Sequence, residues 1–305
     1  MTAMVLLALL PVTLLIGLGY LLNRAAFLSE GFWSEAERLC YYILLPALFL
    51  YGLATADMAA LPVRGLASVL VGSIVAVAAL VVAARPLFRM DGAEFTSVFQ
   101  GSIRFNNYIG VTLAAGMFGA EGIALAAVCN AAIVPTVNLL CVLVFARYGS
   151  VRLSAGAAVK QLAVNPLLVS CLAGIAVQAL GLGLPPGIGT ALKALGAASM
   201  PLGLLCVGAA LQFGAARQWL APVVTSSTAK FLVMPVVTFL VGRVLGLSAQ
   251  TMLVALMFQA LPTASSSYIM ARQLGGNAPL MAGITATQTV LAVVAIPLVL
   301  LMLVR

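Results

Sequence analysis

Ten apolar stretches of about twenty residues or a little more follow one another along this chain, at approximately 4–22, 36–54, 65–84, 94–118, 121–146, 163–181, 189–211, 219–242, 249–271 and 279–304. A helix needs about 20 residues to cross a hydrocarbon core of about 30 Å, so each stretch has the length of one crossing. The loops between them are too short for a separate soluble domain. Hydrophobic residues make up 64% of the chain and charged residues 7%, against about 25% charged in a soluble domain. Such a chain cannot cover itself in water. The expected fold is an all-α polytopic membrane protein with ten transmembrane helices. Met1-Thr2-Ala3-Met4 lacks the charge that opens a signal peptide, so 4–22 reads as a retained first span.

Two of the ten stretches, the fourth and the ninth, are interrupted at mid-length. Phe99-Gln100 is followed after seven residues by Tyr108-Ile109, and Phe258-Gln259 after eight by Tyr268-Ile269. The first interruption is Arg104-Phe105-Asn106-Asn107 and the second Pro262-Thr263-Ala264-Ser265-Ser266-Ser267. Broken spans in corresponding positions of two halves point to the substrate site of a secondary transporter. Helix is expected to resume near Tyr108 and near Ala264.

The rest of the chain repeats as well. A shift of 155 residues places Pro11 on Pro166, Gly19 on Gly174 and Pro46 on Pro201, while the Phe-Gln pairs match at 159 and the Tyr-Ile pairs at 160. The order is kept and the shift nearly constant, which is the mark of a duplication into residues 1–155 and 156–305. Five spans is an odd number, so the second copy enters the membrane from the opposite face. Such inverted repeats support alternating access.

Basic residues set the orientation. With both termini outside, nine lie in cytoplasmic loops (Arg24, Arg38, Arg85, Arg89, Arg147, Arg152, Lys160, Arg217, Arg272) and four outside (Arg64, Lys193, Arg243, Arg305). The positive-inside rule favours that topology. The net charge of +8 is largely this asymmetry and calls for no nucleic acid. Cys40, Cys129, Cys141, Cys171 and Cys206 fall inside spans without CxxC spacing, and the chain has no histidine. That pattern offers neither a disulfide framework nor a zinc site, and no cofactor is expected. No GxxxxGK[ST] loop is present to bind ATP.

On three motifs the chain resembles a bacterial member of the auxin efflux carrier family, within the bile-acid/auxin/arsenite transporter superfamily. They are Leu44-Leu45-Pro46-Ala47-Leu48, Arg104-Phe105-Asn106-Asn107-Tyr108-Ile109-Gly110, and Leu261-Pro262-Thr263-Ala264 with Tyr268-Ile269-Met270-Ala271. The resemblance covers essentially the whole chain. It implies ten helices in two inverted five-helix repeats, with helices four and nine unwound and crossing at mid-membrane. It implies elevator-like movement of a transport domain against a scaffold, in the bacterial inner membrane, for organic anions such as auxin, malonate or malate. The long cytoplasmic loop of plant auxin carriers is missing, since 147–162 is short. That argues against plant-type phosphoregulation and against auxin itself as cargo.

The residues of the two breaks supply the candidate site. Arg104 lies at mid-membrane, where a cation costs at least about 2.5–3.5 kcal/mol, and no Asp or Glu occurs at its depth. Its planar fork suits a carboxylate; alternatively it donates to carbonyls freed by the break, and the two roles are compatible. Asn106 and Asn107 each donate and accept; of the two, Asn106 is favoured for substrate. Tyr108, Pro262, Thr263, Ser265 and Ser266 complete the substrate-binding set, with Pro262 removing a donor and breaking its helix. Gln100, Gln259 and Lys230 are read as crossover support or coupling groups. Lys230 braces the unwound segments or takes part in proton coupling, by analogy with related inverted-repeat folds. Ser226 and Lys230 also have the i, i+4 spacing of a Ser–Lys dyad, but an enzyme would explain neither the duplication nor the paired breaks. The function expected is secondary active or potential-driven transport of small organic anions in the lipid bilayer, with homodimerisation left open. A passive channel or facilitator on the same fold and a sodium-coupled symporter are the alternatives.

Overall fold

A computed structural model of the chain describes residues 2–57, 61–149, 164–212 and 218–303, and all regular structure among them is helical. Helix α1 covers Thr2–Arg24. Helix α2 (Glu30–Leu39) runs through a π-helical turn (Cys40–Leu44) into α3 (Leu45–Ala54). After α4 (Val63–Ala83) come α5 (Gly92–Ile103) and α6 (Asn107–Tyr148). Then follow α7 (Pro166–Ala179) and α8 (Pro186–Ala209). A second π-helical turn (Ala229–Val233) joins α9 (Leu220–Thr228) to α10 (Met234–Val244). The chain ends with α11 (Ala249–Gln259), α12 (Ser266–Leu274) and α13 (Ala278–Leu303). Among the described residues seven segments are long and apolar enough to cross a membrane, and Pro166–Ala179 and Ala249–Gln259 are shorter apolar helices. The molecule is a polytopic helical membrane protein.

Every expected stretch coincides with a helix or a helix pair. The 42 residues of α6 would run about 63 Å if straight, twice the hydrocarbon thickness. They do not run straight: Gly119 has φ 59° and ψ −135°, and a side chain at Gly122 would overlap the carbonyl of Ala114. Eight residues along one helix would separate those positions by about 12 Å, so the chain doubles back at Gly119. That positive φ is glycine's province, and it divides the fourth stretch from the fifth.

Both π-helical turns stand immediately before an X-Pro pair. In each, the closing N–H reaches five residues back, Leu45 to the Cys40 carbonyl and Met234 to that of Ala229. Pro46 and Pro235 have no N–H, and their rings would strike the carbonyl four residues earlier in a regular helix. The wider turn removes that clash without ending the span.

The described helices fall into two compact units, one of Met1–Val63, Asn107–Ala131 and Gln161–Ala210, the other of Arg64–Asn106, Ala132–Lys160 and Leu211–Arg305. In the first unit α1 packs on α8, and α3 on α7 and α8. Glycines bring α1 and α8 backbone to backbone, since a side chain at Gly19 would overlap the Leu205 carbonyl and one at Gly208 that of Ile16. Small residues at such crossings let membrane helices approach closely.

In the second unit α5 packs on α9, α12 and α13. Its loops gather by alternation. The Asn277 N–H donates to the Ala93 carbonyl at 3.1 Å, Trp219 Nε1 donates to Glu94 Oε1 at 3.1 Å, and Arg85 lies 4.6 Å from the Tyr148 ring. These are loops expected on the cytoplasmic side. The 147–162 loop is described only as far as Gly149, so Arg152 and Lys160, with Arg217 and Arg305, lie outside the described residues.

Replacing Gly208 with Val should lower the melting temperature of the detergent-purified protein, by the about 1–3 kcal/mol typical of overpacking. Gly17, with nothing within 4 Å of a built side chain, is the control, and Gly17→Ala should leave melting unchanged or slightly raised. Equal melting of Gly208→Val and wild type would refute the backbone contact.

Candidate functional site

Polar side chains are unevenly buried. Among the described residues twenty-one polar or charged side chains are buried, and of these only Asn130, Asn165, Ser170 and Ser199 belong to the first unit. The polar interior is in the second unit, around the two breaks.

The breaks arise from local chemistry. Helix α5 starts on a capping box in which the Glu94 N–H donates to Asp91 and the Asp91 N–H to Glu94. It runs twelve residues, about 18 Å, and stops where Arg104 turns extended at φ −75°, ψ 160°. Helix resumes at Asn107, behind Asn106, a residue type favoured for capping a new start. Helix α11 starts on Ser248, whose hydroxyl accepts from the Thr251 N–H, and runs eleven residues to Gln259. Pro262 cannot donate and disfavours helix at the residue before it. Helix resumes at Ser266, one turn's half later than the expected Ala264. The restart at Asn107 is one residue ahead of the expected Tyr108.

Three ties hold the breaks together within the second unit. Arg104 Nη2 donates to Ser266 Oγ at 3.3 Å, while Nη1 donates to Asn138 Oδ1 at 3.0 Å and meets Met270 Sδ at 3.2 Å. Phe105 packs on Phe258, with ring centroids 6.2 Å apart. Gln288 of α13 is the third. Its Nε2 donates to the Gly101 carbonyl at 3.0 Å and to Ser226 Oγ at 3.2 Å, and its Oε1 accepts from the Thr263 N–H at 3.0 Å. Thr263 Oγ1 lies 3.1 Å from Ser267 Oγ. Arg104 is half-buried, and each of these partners is neutral. The one salt bridge among the described residues is the exposed Arg38–Glu35 pair.

The sequence-derived candidates separate accordingly. Arg104, Thr263 and Ser266 come together, with Pro262 buried in the same segment and Ser265 half-exposed beside it. Asn106 is buried in the first break and Asn107 is less so. Asn107 and Tyr108 belong to the first unit, where the Tyr108 ring occupies the space a side chain at Gly203 would fill. Gln259 does not brace either break by hydrogen bonding. Its Nε2 reaches α4 instead, donating to Ser73 Oγ at 2.7 Å and to the Leu70 carbonyl at 3.2 Å. Gln100 and Lys230 are fully buried, and neither amide atom of Gln100 nor Nζ of Lys230 has a hydrogen-bond partner. Arg104 and Gln288 each carry hydrogen bonds that join the two breaks.

Gln288 and Asn138 were not among the sequence-derived candidates, and Ser226 was weighed only as half of a Ser–Lys dyad. For Gln288 a signal existed: Thr285-Ala286-Thr287-Gln288-Thr289 is a polar run in the middle of the last span. Asn138 is one of two amides, with Asn130, in the fifth.

Gln259→Leu should destabilise the purified protein by about 0.5–1.5 kcal/mol, the net worth of a lost internal hydrogen bond, since Ser73 Oγ keeps its bonds to the Val69 and Leu70 carbonyls. Thermal melting measures this directly, and a variant that melts with wild type would mean that the α4 tie carries no stability.

A family model described as membrane transport protein matches residues 148–300, half of the chain. No curated protein matches it. The matched part contains the second break with Pro262, Thr263, Ser265 and Ser266, as well as Lys230, Gln259 and Gln288. The chain belongs to the membrane transport protein family, that of the auxin efflux carriers, and is a multi-pass membrane transporter.

Proposed function

We propose that this transporter carries small organic anions, carboxylates of the malonate or malate class, as a secondary active or potential-driven carrier. The observation that carries the reading is Arg104. Its guanidinium sits half-buried at a broken helix, held by an amide oxygen, a hydroxyl and a thioether and by no carboxylate. A cation kept at that depth with only neutral partners keeps its charge for a ligand, and its fork matches a carboxylate's two oxygens. The N-terminus of α12, which opens at the second break, adds partial positive charge. Asn106, Thr263, Ser265 and Ser266 of the second unit would line the site, and Pro262 would keep it open.

The proposed architecture is ten helices in two inverted repeats, 1–155 and 156–305, with broken helices four and nine. Capped starts at Asp91 and Ser248, half-helices of twelve and eleven residues and breaks beginning at Arg104 and Ala260 support the duplication. The concentration of buried polar residues in one unit supports elevator-type access in which that unit carries the anion. We place the chain in the bacterial inner membrane with both termini outside, as monomer or homodimer. Labelling of single cysteines at 150–160 from the cytoplasmic side only is the expected result. Labelling there from outside only would invert the topology.

The decisive variant is Arg104→Lys, which keeps charge and loses the fork. In proteoliposomes loaded with radiolabelled carboxylates, wild type should saturate and show counterflow, which a channel would not. Arg104→Lys should weaken substrate affinity by about 1–3 kcal/mol, the range for a charge-assisted hydrogen bond, with melting in the absence of ligand close to wild type. Wild-type affinity in a stable variant would rule out Arg104 as the carboxylate receptor.

A further inference from the structure

We infer that Gln288 is a positioning residue for substrate: it sets the register between the two broken spans and thereby the reach of Arg104. The inference rests on Arg104 being the carboxylate receptor.

The geometry is a ladder with two rungs. Gln288 ties Gly101 to Thr263, donating to the carbonyl of the first at 3.0 Å and accepting from the N–H of the second at 3.0 Å. Three residues further along each strand of the ladder, Arg104 ties itself to Ser266 at 3.3 Å. The Gly101 carbonyl belongs to the last turn of α5, where helix termination removes the N–H it would otherwise receive. The Thr263 N–H lies in the segment where α11 has already stopped. Gln288 therefore takes up one orphan acceptor and one orphan donor, one from each break, with a single amide. Its second Nε2 hydrogen goes to Ser226 Oγ at 3.2 Å, so all three of these bonds use a fixed side chain with no exposure to solvent.

Such a residue cannot touch substrate, because every one of its polar atoms is already engaged inside the unit. Its influence must run through the position of the breaks. The guanidinium of Arg104 hangs from the residue that caps α5, and Ser266 opens α12. If the first rung shifts, the Arg104–Ser266 rung shifts with it, and the guanidinium is held only by Asn138 and Met270. Arg104 then keeps its charge but loses its fixed direction, and a preorganised fork becomes a mobile one. The cost falls on ligands that need two oxygens met at once.

The test is a double-mutant cycle read in substrate affinity. Gln288→Glu keeps the acceptor for the Thr263 N–H and gives up donors; Gln288→Leu removes both functions at similar volume. Both are compared with wild type for dissociation constants of a dicarboxylate and a monocarboxylate, by ligand-induced thermal shift and by counterflow. Gln288→Leu should weaken dicarboxylate binding about tenfold, while Gln288→Glu should recover part of that loss. Combined with Arg104→Lys, Gln288→Leu should add little further loss, because residues acting through one another are non-additive. Full additivity, or equal losses for the two ligand types, would overturn the positioning role. A variant that merely loosened the fold would lower melting without changing selectivity, which also overturns it. Should Gln288→Leu fail to fold, Gln288→Glu and Ser226→Ala carry the same comparison, with a small loss of dicarboxylate selectivity expected from each. If Arg104→Lys alone leaves carboxylate binding intact, the receptor reading fails instead, whatever Gln288 does.

Discussion

A helix interrupted within hydrocarbon leaves backbone donors and acceptors with no water to turn to, and each costs several kcal/mol if unpaired. The second unit of this transporter depends on meeting that cost twice. Gln288 does so with one amide, accepting from Thr263 and donating to Gly101. Without such a partner the sequence between Arg104 and Asn106, or between Ala260 and Ser265, would do better as continuous helix or as nothing ordered. The breaks persist because the surrounding helices α9 and α13 supply side chains aimed at them.

The distribution of polar residues follows from the same constraint. The first unit needs only apolar faces and close backbone approach, and glycines at 19 and 208 allow α1 and α8 to meet with few buried polar groups. The second unit must satisfy two breaks, so Ser226, Thr263, Ser267 and Gln288 are buried there. A unit rigid around a polar centre is also suited to carry a charged ligand as one body. Arg104, a member of that centre, is bonded only to neutral side chains.

Much of this was legible in the sequence. Hydrophobic length located every helical stretch, and the turn at Gly119 fell within the 118–121 gap between the fourth and fifth. The breaks were legible because Pro262 and the Arg-Phe-Asn-Asn run cannot sit in an undisturbed apolar span. The resumption of helix at Ser266 rather than Ala264 was not, because Ser265 already has helical φ/ψ and composition does not say which residue in a serine run closes the first turn. Gln259 hydrogen-bonds away from both breaks. It stands beside a break in sequence, but the last residue of α11 directs its amide sideways to Ser73. Gln288 and Asn138 are remote in sequence from both breaks, by 25 residues from Thr263 in one case and 34 from Arg104 in the other. Only packing brings them in.

The duplication proposed above gives its sharpest information where the halves differ. Asp91 and Ser248 cap equivalent half-helices 157 residues apart, and the same shift carries Ser73 onto Lys230. In one half Gln259 ends on Ser73 through a 2.7 Å hydrogen bond. In the other, the equivalent Gln100 has neither amide atom bonded, and the amine of Lys230 is buried without a partner. A neutral, closed contact in one repeat thus corresponds to two unbonded polar side chains, one of them basic, in its counterpart. Two identical halves could support a symmetric fold, but they could not give an anion a preferred side of the site. The difference between Ser73 and Lys230, together with Arg104 facing Ser266, makes the polar centre basic on the residues where the repeats diverge. Under the anion-carrier reading proposed above, that asymmetry is where selectivity for negative charge would arise, while the shared pattern of caps and breaks supplies the frame.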